Sequence, residues 1–259
     1  KTHTNMPVLV KLTPNVTSIL GPAGAAKAGG GDGVSLINTV NSITSIDLDL
    51  MAPTPTADGK GSHGGYCGPA VKPMALHMCA EIARNAGTAG LPMSAIGGIS
   101  NWRDAAEFIA LGAGTTQVCT AVMHYGFKIV EDMIDGLSDW MDQKGYEKIS
   151  DFQGLAVPNI TDWQNLNMNY EIVAEIEQAK CVKCGLCHIV CEDTSHQAIS
   201  AERIDGERKY SVIDDECVGC NLCMHVCPEN CITMRKVDNG KDYMNWTQDP
   251  RNPFSTAAE

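Results

Sequence analysis

The chain has 259 residues, 44% of them hydrophobic but only 5% aromatic, with 25 glycines and a formal net charge of −12. That length holds one large or two modest domains around a real core, and the acidic balance excludes the basic stripe that a nucleic-acid partner requires. No apolar run approaches the roughly 20 residues of a membrane span, and the opening KTHTNMPVLV has neither an initiator Met nor an apolar signal-peptide centre.

Residues 1 to about 145 repeat one unit: an apolar β-branched run, a Gly-rich turn, then a helical stretch. The first run, MPVLVKLTP (6–14), lies so near the start that the chain reads as cut rather than begun. A helix is predicted at 15–28, with a kink or break where Gly21-Pro22 interrupts it. The second run, GVSLINTV (33–40), leads into a loop over 41–66, and a loop beyond ~15 residues reads as a functional lid. A helix follows at 69–86, then the run LPMSAIGGI (91–99) and a helix at 101–111 with Ser100 as its N-cap. The run TTQVCTAV (115–122) and a helix at 126–144 complete the series. Continuous apolar strands alternating with helices predict an α/β fold whose parallel sheet is buried on both faces. Over 146–172 the periodicity fades into a linker expected to pack on the first domain, 1–145. A second domain spans 173–238, and the tail, 239–259, is polar with no core pattern.

Eight of the 12 cysteines lie in two runs, CVKCGLCHIVC (181–191) and CVGCNLCMHVCP (217–228), offset from each other by 36 residues. C-x2-C-x2-C-x3-C is the spacing of a two-cluster ferredoxin, in which three cysteines of a tight loop hold one cube and the fourth reaches the other. The expected ligands are therefore Cys181, Cys184, Cys187 and Cys227 for one [4Fe–4S] cluster, and Cys217, Cys220, Cys223 and Cys191 for the second. Zinc also uses C-x-x-C pairs, but a third and fourth cysteine directly behind each pair suit a cube and crowd a tetrahedron. Gly185 and Gly219 are expected to keep backbone close to sulfur, and Glu192 stands where the second run has Pro228. Cys231 reads as a buried structural thiol, and His188, His196 and His225 as packing or surface residues. Such clustering without a signal sequence favours metal binding in a reducing cytoplasm over disulfides.

The stretches VKLTPN (10–15), SLINTVNS (35–42), HGGYCGPAVKP (63–73), IGGIS (96–100) and GAGTTQVCTAVMHYGFKIVEDM (112–133) resemble the flavin domain of the dihydropyrimidine dehydrogenases, within the dihydroorotate dehydrogenase-like superfamily. The resemblance is closest to the bacterial NAD-dependent subunit and fails only in the tail; dihydroorotate dehydrogenases share the barrel motifs without the tandem clusters. It implies the C-terminal half of an FMN-binding (β/α)8 barrel followed by an α+β two-cluster ferredoxin-like domain. It also implies FMN contacts at Lys11, Gly68, Ile96, Gly97, Gly98, Cys119 and Thr120, and pyrimidine contacts at Asn38 and Thr39. Lys11, ending a buried strand, needs an anionic or electron-rich partner, although a lysine there can also snorkel to solvent. Gly97, Gly98 and Thr120 follow the last two strands, where barrels bind phosphate. Gly68 can equally be a simple helix-start turn, and Asn38-Thr39 can simply close a strand turn.

Four units are half of a complete barrel. The resemblance implies that the other half carries the family's general-acid cysteine, so no catalytic residue is assigned here; Cys67 matches the flavin motif instead. Half a barrel would expose two strand edges. The function implied is reversible reduction of uracil or thymine at the 5,6 double bond. Electrons would come through the clusters from a partner subunit that carries FAD and binds NAD(P)H, in a hetero-oligomer, since no G-x-G-x-x-G follows a strand here. Two other readings stay open: a related flavoenzyme with a different cyclic substrate, and a ferredoxin-type carrier without chemistry of its own.

Overall fold

A computed structural model describes residues 4–166 and 170–237; the polar tail expected at 239–259 lies outside them. The chain divides into two compact units, Lys1–Ile160 and Thr161–Glu259, and the division falls inside the stretch 146–172.

In the first unit the apolar runs become short strands. β1 (Leu9–Lys11) leads to α1 (Leu20–Ala28), whose first turn contains Gly21-Pro22. Proline is tolerated there because the first-turn N–H groups have no intrahelical acceptor, so the helix starts at this pair rather than breaking on it. β2 (Gly33–Leu36) follows, and then the long loop folds on itself. β3 (Val40–Ser42) pairs with β6 (Gly64–Tyr66), and between them β4 (Ser45–Asp47) pairs with β5 (Ala52–Thr54), both antiparallel. A 3₁₀ turn at Pro69–Val71 opens into α2 (Lys72–Arg84), followed by β7 (Met93–Ile96), α3 (Trp102–Ala110), β8 (Thr115–Gln117), α4 (Thr120–Tyr125) and α5 (Lys128–Lys144). Asn101, not Ser100, caps α3: its side chain accepts from the amides of Arg103 and Asp104, and the Asp104 carboxylate accepts from the Asn101 amide. The capping box wins because Asp104 occupies the N3 position.

The four strands β1, β2, β7 and β8 form one parallel sheet in the order β1-β2-β7-β8. Its central strands β2 and β7 are buried, whereas β1 and β8 are half exposed, with Leu9 at 53%. The expectation that Lys11 ends a buried strand is corrected here: among the described residues β1 is an edge strand, paired with β2 alone. Helices cover the centre. Phe108, Leu36, Ile82 and Val34 are almost fully enclosed, each stabilising the unit by about 1.5–3 kcal/mol through burial. The segment after α5 closes this unit with an aromatic cluster, Phe152 lying 5.1 Å edge-on to Trp140 and 5.5 Å from Tyr146.

In the second unit β9 (Glu171–Ile176) pairs antiparallel with β12 (Ile232–Val237), and β10 (Ile199–Ile204) with β11 (Glu207–Val212). Each cysteine run forms a loop followed by a short helix, α6 (Leu186–Asp193) and α7 (Leu222–His225). No helix among the described residues is long and apolar enough to cross a membrane.

Candidate functional site

The carboxyl ends of all four parallel strands open into one cleft of about 230 Å³. Lys11 ends β1, Asn38 and Thr39 follow β2, Ile96, Gly97 and Gly98 end and follow β7, and Cys119 and Thr120 follow β8; Gly68 enters from the turn before α2. All nine flavin and pyrimidine candidates thus line the same space. Strand ends in parallel sheets collect ligands because the following loops converge there while the sheet stays rigid.

The glycines earn their place by contact. A Cβ on Gly98, at φ +74°, would sit 2.8 Å from the Gly68 carbonyl oxygen and 2.8 Å from Cβ of Lys72; one on Gly97, at φ +138°, would sit 2.8 Å from Cβ of Ala75. The two turns therefore press against each other, and only bare backbone permits it. Asp104 holds the same turn from below. Its carboxylate accepts from the Ser100 amide at 2.8 Å and pairs with Lys72 Nζ at 2.7 Å. The hydrogen bond to Asp104 first, and that to Glu107 after it, raise the Lys72 pKa against its partial burial.

Lys11 is different. Burial lowers its pKa, partly offset by Cys119, and among the described residues no carboxylate pairs with it. Its Nζ donates to Ser35 Oγ at 3.3 Å, which also accepts from Gln117 Nε2 at 2.9 Å; Gln117 donates to Ser94 Oγ as well, at 2.7 Å. In register, Lys11, Ser35, Ser94 and Thr115 form one row straight across the sheet. This polar row escaped the sequence reading. The serines lie in runs that read as continuously apolar, and Gln117 had no partner until strand pairing supplied two.

Asn38 and Thr39 are more constrained than expected. Asn38 Oδ1 accepts from the Thr39 amide at 2.8 Å, and Thr39 packs so closely under Gly65 that a Cβ there would meet its Oγ1. The β3–β6 ladder thus lies over the substrate candidates. Cys67 lines the same cleft.

The eight cluster cysteines divide four and four. Cys181, Cys184, Cys187 and Cys227 line one cavity; Cys191, Cys217, Cys220 and Cys223 line another. Cys191 lies on α6 and Cys227 two residues beyond the end of α7, so in each run the last cysteine stands away from its own loop. Both loops are bent by left-handed residues at matching positions, Lys183 and Gly185 in the first, Gly219 and Asn221 in the second. Protein contacts also demand glycine here: a Cβ would meet the Tyr210 hydroxyl at Gly185 and the Ile172 carbonyl at Gly219. Burial pushes the Cys187 thiol up to about 11 and raises Cys223 as well. Thiolates in such apolar cavities need a cationic group between them, which an iron–sulfur cube provides. Among the described residues no group of three or more His, Cys, Asp or Glu side chains is arranged to hold a lone metal ion.

Cys231 is buried, as expected of a structural thiol, but it joins the first cavity, with its Sγ 3.4 Å from that of Cys227. His188 is a packing residue, its Nδ1 2.6 Å from the Ile199 carbonyl.

Comparison with known proteins follows the same division. Residues 1–141 match the dihydroorotate dehydrogenase family and residues 174–234 the 4Fe-4S dicluster domain. The chain is 44% identical over 237 residues to the NAD-dependent dihydropyrimidine dehydrogenase subunit PreA of Escherichia coli K12, covering 92% of this chain and 57% of that protein. It is 41% identical over 157 residues to the catalytic subunit of dihydroorotate dehydrogenase B (NAD(+)) of Pyrococcus horikoshii, covering 61% and 49%. With the chloroplastic dihydropyrimidine dehydrogenase (NADP(+)) of Arabidopsis thaliana it shares 36% over 184 residues, covering 70% and 43%. The chain spans about half the length of the curated relatives it matches.

Proposed function

The chain belongs to the dihydroorotate dehydrogenase family, and from that premise we propose that it is the flavin- and cluster-bearing part of a dihydropyrimidine dehydrogenase. It reduces uracil or thymine at the 5,6 double bond, or runs the reverse reaction. The observation that carries this reading is the presence, in one chain, of a cation-bearing cleft at the parallel strand ends and two cavities, each lined by four cysteines of the two runs.

The four βα units form half of a (β/α)8 barrel, a reading supported by the parallel order and by the shared cleft at the strand ends. FMN fits the cleft. The tight Gly68–Gly98 approach leaves backbone rather than side chains facing a phosphate, beside Cys119 and Thr120. Lys11, unpaired by any acid among the described residues, keeps its charge for the electron-rich edge of the ring. When bound, FMN supplies hydride transfer to a ring carbon and accepts electrons singly. Asn38 and Thr39 orient the pyrimidine, whose alternating carbonyl and N–H groups match an amide's acceptor and donor.

The cysteine sets Cys181, Cys184, Cys187, Cys227 and Cys217, Cys220, Cys223, Cys191 each hold a [4Fe–4S] cluster, which supplies one-electron transfer. Electrons reach them from a partner subunit carrying FAD and binding NAD(P)H, in a cytoplasmic hetero-oligomer; the word "subunit" in the name of the Escherichia coli relative supports that arrangement. The test is cofactor analysis of the anaerobically purified protein. Flavin released together with iron and sulfide supports the enzyme, and iron and sulfide without flavin would leave only an electron carrier.

A further inference from the structure

Asn221 occupies, in the second cysteine loop, the position that Gly185 holds in the first, 36 residues earlier. It lies in the cavity of Cys191, Cys217, Cys220 and Cys223. It stands at the N-cap of α7, yet its side chain makes no capping bond. Among the described residues its Oδ1 is buried without any hydrogen-bond partner. Leaving a buried amide end unpaired is costly, and such an orphan calls for a partner.

The chemistry of the cavity says which partner. Apart from Asn221 and His196 it is lined by cysteines and apolar residues, so the group it encloses presents sulfur, which accepts hydrogen bonds. An amide's oxygen and nitrogen ends share one shape, and turning the group over places the NH₂ where the orphaned oxygen now lies. Backbone amides already donate to sulfur here, from Ala198 to Cys191 Sγ at 3.2 Å and from Ala174 to Cys217 Sγ at 3.5 Å.

We propose that Asn221 donates its side-chain amide to a sulfur of the second [4Fe–4S] cluster and holds that cluster at a higher reduction potential. A donor stabilises the reduced, more negative cube over the oxidised one. The first loop has no amide at the matching place: Gly185 is required there by the Tyr210 hydroxyl, 2.6 Å from where a Cβ would stand. Asn221 thus biases a shared electron toward the second cluster.

This rests on the cluster reading, and the test separates the two. The chain is purified anaerobically with its clusters, and both midpoints are followed by electron paramagnetic resonance during a redox titration. Asn221→Gly accepts the left-handed backbone, and Asn221→Asp keeps the shape without the donor. Both are expected to lower one midpoint and leave the other in place, at unchanged iron and sulfide content. Unchanged midpoints in either cluster-loaded variant overturn the proposal. Should both variants lose iron, the wild-type chain with ¹⁵N in its asparagine amides decides: a nitrogen coupling to a reduced cluster is expected, and its absence overturns the assignment. Wild-type protein lacking iron and sulfide would sink the cluster reading itself.

Discussion

In the proposed function Lys11 serves the cleft by charge and Asn38 by shape. Lys11 has a hydroxyl, not a carboxylate, at its ammonium, so its charge is free to act on a ligand. Replacing it by methionine keeps the length and removes one charge-assisted hydrogen bond, worth about 1.5–3 kcal/mol. FMN retention, measured by fluorescence titration, is expected to weaken about ten- to a hundredfold. Asn38→Ala is expected to depress pyrimidine turnover while flavin content stays at the wild-type level; equal loss of both would move Asn38 from the substrate to the scaffold, a role its bond to the Thr39 amide already hints at. Residues with rare chemistry were readable in the sequence: the eight cysteines, Lys11 and the Gly-Gly pair each stand out against their neighbours. Ser35, Ser94 and Gln117 were not, because a serine inside GVSL or MSAI carries no signal until strand register lines it up with a lysine and a glutamine.

Elements obey propensity where it is local and depart from it where packing decides. The four strands of the parallel sheet and the helices α1, α2, α3 and α5 fall inside the predicted runs, but each strand is shorter, and α4 begins at Thr120 within the run 115–122, because the chain turns into the cleft there. The cap of α3 shifted by one residue to Asn101, whose side chain and that of Asp104 satisfy each other's amides. Asn101→Ala is expected to cost the first unit about 1 kcal/mol in chemical denaturation. Gly98→Ala tests the pressed turns. Positive φ and a 2.8 Å approach to the Gly68 carbonyl make the substitution strained, by about 1–3 kcal/mol. It is expected to empty the flavin site before it unfolds the protein, seen as lost flavin at unchanged far-ultraviolet circular dichroism. The loop 41–66 was legible as an unusual insertion, not as two nested ladders. Its strands are three residues each, too short for period-two patterning to register.

At the scale of the whole molecule, two units with separate cores make separate use of their cofactors. The core of the second unit contains four buried cysteines, Cys187, Cys191, Cys223 and Cys231, with Cys181, Cys217 and Cys227 packed against it, so removing iron strips it of the cationic centres its thiolates need. Chelation of iron is therefore expected to lower the melting temperature of this unit, read by calorimetry, and to leave the transition of the first unit in place. The division of eight cysteines into two cavities was legible from spacing alone because a cube dictates it. How many βα units share the sheet is a property of tertiary closure and is not written in any one repeat.

The most direct measurement is anaerobic rapid mixing of the cofactor-loaded protein with a reduced electron-transfer protein too large to enter the cleft, while cluster and flavin absorption are followed together. Bleaching of the clusters followed by bleaching of the flavin, with the second step abolished in Cys220→Ser, is the expected result. Clusters that take up electrons while the flavin stays oxidised would contradict a shared electron route.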